Sequence, residues 1–235
     1  MPRSVYLESS IRKPKARTIR VMDQFLKGKK VVVTGGTRGI GRSIADYLLR
    51  AGASVAICGR TRESVDRAVA ELKQSTGGDV FGEPADVSKW DQAERFFASV
   101  KSRFGGLDVL VNNAGTAVFR SVKELTQNDW DKTIGLNLTG VFYCCHHALP
   151  MLQASGSAYI IQISSLAGVN PFPGGAAYNA SKFGLNGFSE AIMQDLRYDN
   201  VRVSYIMPGS VDTDFVGPTA RADWKIAPED IAEVV

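Results

Sequence analysis

Tyr178 and Lys182 stand four residues apart in Tyr178-Asn179-Ala180-Ser181-Lys182, a stretch that opens a helical pattern, so both side chains fall on one face. A free phenol titrates near ~10, too high for useful proton exchange at neutral pH. A nearby ammonium favours the phenolate and lowers that value by ~1–3 units. The pair therefore predicts proton transfer to or from a substrate oxygen. Ser165 lies thirteen residues before Tyr178, just past the apolar run 159–163, where a hydroxyl can hold the same oxygen.

A second constellation sits near the other end of the chain. Thr34-Gly35-Gly36-Thr37-Arg38-Gly39-Ile40-Gly41 follows an apolar run and precedes a helical pattern. Glycines permit a tight strand-to-helix turn and close approach of backbone N–H groups to an anion, and the helix N-terminus favours pyrophosphate. The spacing is Gly-x-x-x-Gly-x-Gly, with Ile44 where the commoner fingerprint has its third glycine. The next apolar run ends in Cys58-Gly59-Arg60-Thr61-Arg62, with no acid before Glu63. A carboxylate there would bind a ribose 2′-hydroxyl and repel a 2′-phosphate, whereas a guanidinium holds the phosphate. The expected cofactor is NADP(H) in preference to NAD(H).

These residues need a scaffold, and the chain supplies one pattern throughout. Apolar, β-branched runs at 31–33, 55–58, 80–81, 107–111, 159–163 and 201–207 alternate with helical stretches such as 42–50, 64–74 and 92–103. Strands alternating with helices of that length predict an α/β fold, a doubly wound parallel sheet flanked by helices. Ligands of such sheets bind outside the carboxyl ends of the strands, where all the residues above lie. The expected organisation is a basic arm over 1–24 and one nucleotide-binding domain over 25–235.

Composition narrows the function further. The 235 residues carry a net charge of +4, but residues 1–30 hold nine Lys/Arg against two acids, so the other 205 carry −3. The basic excess is a solvated arm rather than a nucleic-acid surface, and no nucleic-acid partner is expected. No apolar run approaches the ~18–20 residues of a membrane span. Three cysteines and no signal-like N-terminus predict a cytoplasmic protein. Cys144-Cys145-His146-His147 does not make a zinc site, because neighbouring residues of a helix point about 100° apart. No metal is expected.

Read in order, the glycine turn, Asp86-Val87, Asn112-Asn113-Ala114-Gly115, Asn137, Ser165, Tyr178 with Lys182, and Pro208-Gly209 with Val211 and Thr213 resemble the short-chain dehydrogenase/reductase family. The resemblance covers residues 28–213 and is especially similar to bacterial 3-oxoacyl-[acyl-carrier-protein] reductases and their relatives. It implies a Rossmann-fold oxidoreductase that interconverts a carbonyl and a secondary alcohol by hydride transfer from a nicotinamide. It further implies that Tyr178 exchanges the proton, Lys182 assists it and binds the nicotinamide ribose, Ser165 holds the substrate oxygen, and Asn137 keeps a helix locally open. Gly35, Thr37, Arg38, Gly39, Ile40, Gly41, Arg60, Asp86, Val87, Asn113, Ala114, Gly115, Pro208, Gly209, Val211 and Thr213 would line the cofactor together with Tyr178 and Lys182.

The substrate expected from the resemblance is a small carbonyl compound, alcohol or acyl thioester. Excess apolar residues over 140–153 and 178–197 predict a homodimer or homotetramer. Family members usually continue past the helix that begins near Pro228, so the usual C-terminal strand is expected to be missing and the edge at 201–207 open. A competing reading is a catalytically silent NADP-binding sensor or scaffold. Such a protein would be expected to lose Tyr178 or Lys182, and both are present.

Overall fold

The computed structural model describes residues 24–216 and 224–235. The expected arm therefore lies outside the described residues except for Gln24. The β-branched runs form six strands: β1 (Lys30–Thr34), β2 (Ser54–Gly59), β3 (Val80–Pro84), β4 (Val109–Asn112), β5 (Ala158–Ile163) and β6 (Val201–Ile206). All pairings are parallel, and the order is β3-β2-β1-β4-β5-β6, which reverses direction between β1 and β4. This is the doubly wound Rossmann arrangement expected.

Among the described residues are seven α-helices, of which the first six lie in the crossovers: α1 (Gly39–Arg50), α2 (Arg62–Thr76), α3 (Trp90–Phe104), α4 (Gln127–Ile134), α5 (Gly140–Ser155), α6 (Ala176–Asp195) and α7 (Pro228–Val234). Alternation along β1 shows why both faces of the sheet are covered. Val32 belongs to a core with Phe96 and Phe97 of α3, Cys144 and Leu152 of α5, and Leu185 of α6. Val31 and Val33 belong to the opposite core with Ile44 and Leu48 of α1, Leu72 of α2 and Ala232 of α7. A strand buried on both faces reads as a continuous apolar run, as this one does.

Two boundaries differ from the periodic reading. Strand β4 begins at Val109 rather than 107, because the Asp108 carboxylate accepts from the Lys30 amide at 2.8 Å and the Ser155 hydroxyl at 2.6 Å. Helix α1 begins at Gly39, three residues earlier than its apolar period, since the glycine turn runs directly into it. Strand β6 is the edge strand of the described sheet. Phe142 of α5 and Phe183 of α6 remain exposed, on the helices where an assembly contact is expected.

Candidate active site

The glycine turn closes against the start of the β4 loop. Gly35 has φ +65°, and a β-carbon there would lie 2.9 Å from the Ala114 Cα. A β-carbon at Gly41 would run into the Gly35 carbonyl and the Asn113 side chain. Thr34 Oγ1 accepts from the Asn113 and Ala114 amides, both at 3.0 Å. Asn113 Nδ2 donates to the Thr34 carbonyl at 3.0 Å and the Gly35 carbonyl at 3.2 Å, so its amide braces the turn. Arg38, the N-cap of α1, makes no side-chain capping bond, and the first turn of α1 holds no acid. The leading amides thus have no side-chain acceptor of their own, which fits the pyrophosphate of a dinucleotide.

Past β2, Arg60 is exposed, as is Arg38, and neither has an ion-pair partner among the described residues. Gly59 packs tightly: a β-carbon there would sit 2.6 Å from the Thr37 methyl. Past β3, Asp86 Oδ1 accepts from the Ser88 amide at 3.0 Å and the Ser88 hydroxyl at 2.7 Å. Val87 is buried, with its carbonyl against Gly140. Gly115 stands beside Asn137 Oδ1, and Thr213 stands beside Gly39. After β6, the Pro208 carbonyl accepts from the Leu166 amide at 3.0 Å, Gly209 lies against Leu166, and Val211 bridges to Ile226. Every residue expected at the cofactor lies on the edge formed by the carboxyl ends of the strands.

The second constellation meets the first at β5. Ser165 caps the short turn Leu166–Gly168, its Oγ accepting from the Ala167 amide at 3.1 Å. Helix α6 presents Tyr178 and Lys182 to this point. Lys182 Nζ donates to the Ile163 carbonyl at 2.8 Å and lies 5.9 Å from the centre of the Tyr178 ring. Asn137 sits in the wide helical turn Gly135–Thr139 between α4 and α5. Its Oδ1 accepts from the Thr116 amide at 2.8 Å, while Nδ2 donates to the Thr116 carbonyl at 2.8 Å and to Ser181 Oγ at 3.0 Å. The locally open helix is therefore present at the expected residue.

Residues 29–224 match the family described as short chain dehydrogenase, which is most of the chain. The chain belongs to the short-chain dehydrogenase family. These enzymes are oxidoreductases that act on CH–OH groups. The chain is 34% identical to a 3alpha-hydroxysteroid dehydrogenase of Mediterraneibacter gnavus, over 86% of this chain and 81% of that one. It is 37% identical to a 3-oxoacyl-[acyl-carrier-protein] reductase of Chlamydia trachomatis, over 82% of this chain and 78% of that one. An alcohol dehydrogenase of the archaeon Thermococcus sibiricus, solved with 5-hydroxy-NADP, superposes with a TM-score of 0.83 at 32% identity, covering 88% of both chains.

The electrostatics of this short-chain dehydrogenase differ from the simple expectation. Burial pushes the Tyr178 phenol above its ordinary value, and the hydrogen bond with Ser165 acts the other way. Lys182 does not outweigh that burial: its ammonium is 5.9 Å from the ring centre and donates to the Ile163 carbonyl. Lys182 itself is pushed down by burial to about 8 from 10.5. Between those values the unfolded lysine holds a proton that the folded one has released, so stability rises with pH across that window. We expect the unfolding free energy of the wild type, relative to Lys182→Met, to increase between pH 8 and 10 in denaturant titrations. A difference that stays flat would show that Lys182 titrates normally.

Several neighbours were not singled out by spacing. Ser181, between Tyr178 and Lys182, completes the Asn137 network and donates to the Tyr178 carbonyl at 2.7 Å. Phe119 and Phe215 stand against Tyr178 and Phe172 against Phe119, on segments after β4, β6 and β5 respectively. The rule that chemistry sits past the strand ends would have reached all three rings. The Cys-Cys-His-His run packs elsewhere: Cys144 and Cys145 are buried in the core, and both histidines lie against Trp90. Among the described residues no group of His, Cys, Asp or Glu is placed to hold a metal ion.

Proposed function

We propose that this short-chain dehydrogenase is an NADP(H)-dependent carbonyl reductase working through Tyr178, Ser165, Lys182 and Asn137. The observation that carries this reading is the meeting of Ser165, Tyr178 and the buried Lys182, held at the Ile163 carbonyl, on the same strand edge as the uncapped glycine turn. In the reducing direction the Ser165 hydroxyl donates to the substrate carbonyl oxygen and holds it beside the phenol. Tyr178 gives its proton to that oxygen as negative charge develops there. Lys182, held at the Ile163 carbonyl, keeps a positive charge near the phenolate that remains. The Asn137–Ser181 network fixes the wide turn and the start of α6 in one register. NADPH, when bound, supplies the hydride.

The relatives include both a steroid dehydrogenase and an acyl-carrier-protein reductase, so the family alone does not select the substrate. The silent sensor reading gains no support, because Tyr178, Lys182, Ser165 and Asn137 are all present. The test is NADPH oxidation, followed by absorbance, with a panel of ketones, sugars, steroids and acyl thioesters. Carbonyl-dependent oxidation with at least one class is the expected result. Cofactor binding without turnover on any class would favour the sensor.

A further inference from the structure

We propose that the substrate of this site is a neutral ketone, or its secondary alcohol, built on a ring, and that Phe119, Phe172 and Phe215 select it. The proposal rests on the reductase reading and names the substrate class for the same site. Phe119 meets the Tyr178 ring edge-on, 5.7 Å between centres at 84°. Phe172 meets Phe119 in the same way, 5.4 Å at 75°. Phe215 lies 6.2 Å from Tyr178, tilted at 57°, and its ring edge comes close to Gly115 on the cofactor side. Three loops from different strands thus place two rings against Tyr178 and a third against Phe119.

These rings are not core residues. Phe119 is 47% exposed, and Phe172 and Phe215 are each 40% exposed, although all three are large and apolar. Leu166, next to Ser165 in the chain, and Val169 are also exposed, at 45% and 48%. An apolar cluster left exposed beside a polar reacting group offers what a ligand site needs: ring surface for area, and a few polar atoms for orientation. Edge-on aromatic walls favour another ring over a flexible chain, because a rigid ring buries apolar area without losing rotamer freedom.

The charges flanking the walls point the same way. Arg120, beside Phe119, lies 3.7 Å from Asp129 of the α4 capping box. Asp214, beside Phe215, carries the sign that repels a carboxylate or a phosphate. A 2-oxo acid, or a thioester on a phosphate-bearing carrier arm, would bring negative charge to this mouth. A neutral ring ketone brings none.

The test compares kcat/KM for α-tetralone and cyclohexanone with that for 2-oxobutanoate and acetoacetyl-coenzyme A, all with NADPH. At least a tenfold advantage for the ring ketones is expected. Phe119→Ala should cut the ratio of α-tetralone to acetone kcat/KM at least tenfold, the loss falling in KM, while Phe119→Leu cuts it less. Thermal midpoints of both variants report folding. Binding of the alcohol α-tetralol to the protein with NADP, measured by calorimetry, should weaken in Phe119→Ala in parallel. Better use of either acidic substrate, or an unchanged ratio in Phe119→Ala, would overturn the ring preference and leave the reductase reading intact. Tight, Phe119-dependent α-tetralol binding without turnover of any carbonyl would support the ring preference and overturn the reductase reading. Neither binding nor turnover would overturn both.

Discussion

Tyr178→Phe is expected to lower kcat by ~10²–10⁴-fold, the usual contribution of a general acid or base, with cofactor affinity within about threefold of wild type. The substitution removes one hydroxyl. The ring that packs against Phe119 and Phe215 remains, as do the glycine turn and its brace by Asn113. Because burial holds the phenol above its ordinary value, the protonated form predominates at neutral pH, the form needed to reduce a carbonyl. The oxidising direction requires the phenolate and should therefore gain rate as pH rises. Steady-state assays in both directions, with fluorescence titration of NADPH, check the pair of statements. Turnover within about threefold of wild type would remove Tyr178 from the proton-transfer role.

NADPH is expected to be used at least tenfold better than NADH, judged by kcat/KM. Two exposed guanidiniums, Arg38 in the glycine turn and Arg60 just past β2, have no ion-pair partner among the described residues and are available to a 2′-phosphate. Hydrogen bonds to charged groups contribute ~1.5–3 kcal/mol each, and ~1.4 kcal/mol is a factor of ten, so either arginine alone could supply the preference. Arg38→Ala with Arg60→Ala should flatten it. Reversal is harder than the local sequence implies. Gly59→Asp would install a ribose-binding carboxylate, but its β-carbon would press on the Thr37 methyl at 2.6 Å. Thr37 is β-branched and stiff, so the acid is accommodated only if that methyl is removed. The triple change Thr37→Ser, Gly59→Asp, Arg60→Ala should therefore favour NADH more strongly than Gly59→Asp with Arg60→Ala. Equal use of both cofactors by the unmodified protein would show the arginines to be merely solvated.

The difference between these two variants marks a boundary between local and tertiary information. The glycine spacing, the missing acid at 59 and the i, i+4 pair Tyr178–Lys182 are local signals, legible because turn geometry and helical period depend on a few consecutive residues. The fit of Thr37 in the glycine turn against Gly59 at the end of β2 joins residues twenty-two positions apart, and no local signal reports it.

The sequence by itself determined the alternation of strand and helix, the parallel sheet and the edge at which chemistry collects. Runs apolar on both faces can be buried only between two helical layers, and right-handed crossovers then leave few topologies. Tertiary structure decided the states of the groups brought to that edge. Lys182 donates to Ile163 rather than toward the phenol, Asn113 braces the turn with both its amide hydrogens, and Asn137 divides its amide between Thr116 and Ser181. Tyr178 is raised rather than lowered because desolvation depends on everything packed around it. Phe119, Phe172 and Phe215 carry no local signal; packing from three separate strand ends puts Phe119 and Phe215 against the Tyr178 ring and Phe172 against Phe119. Spacing along a chain fixes which side chains share a face. The dielectric and the hydrogen-bond partners each one meets come from segments far away in sequence, and only packing brings those together.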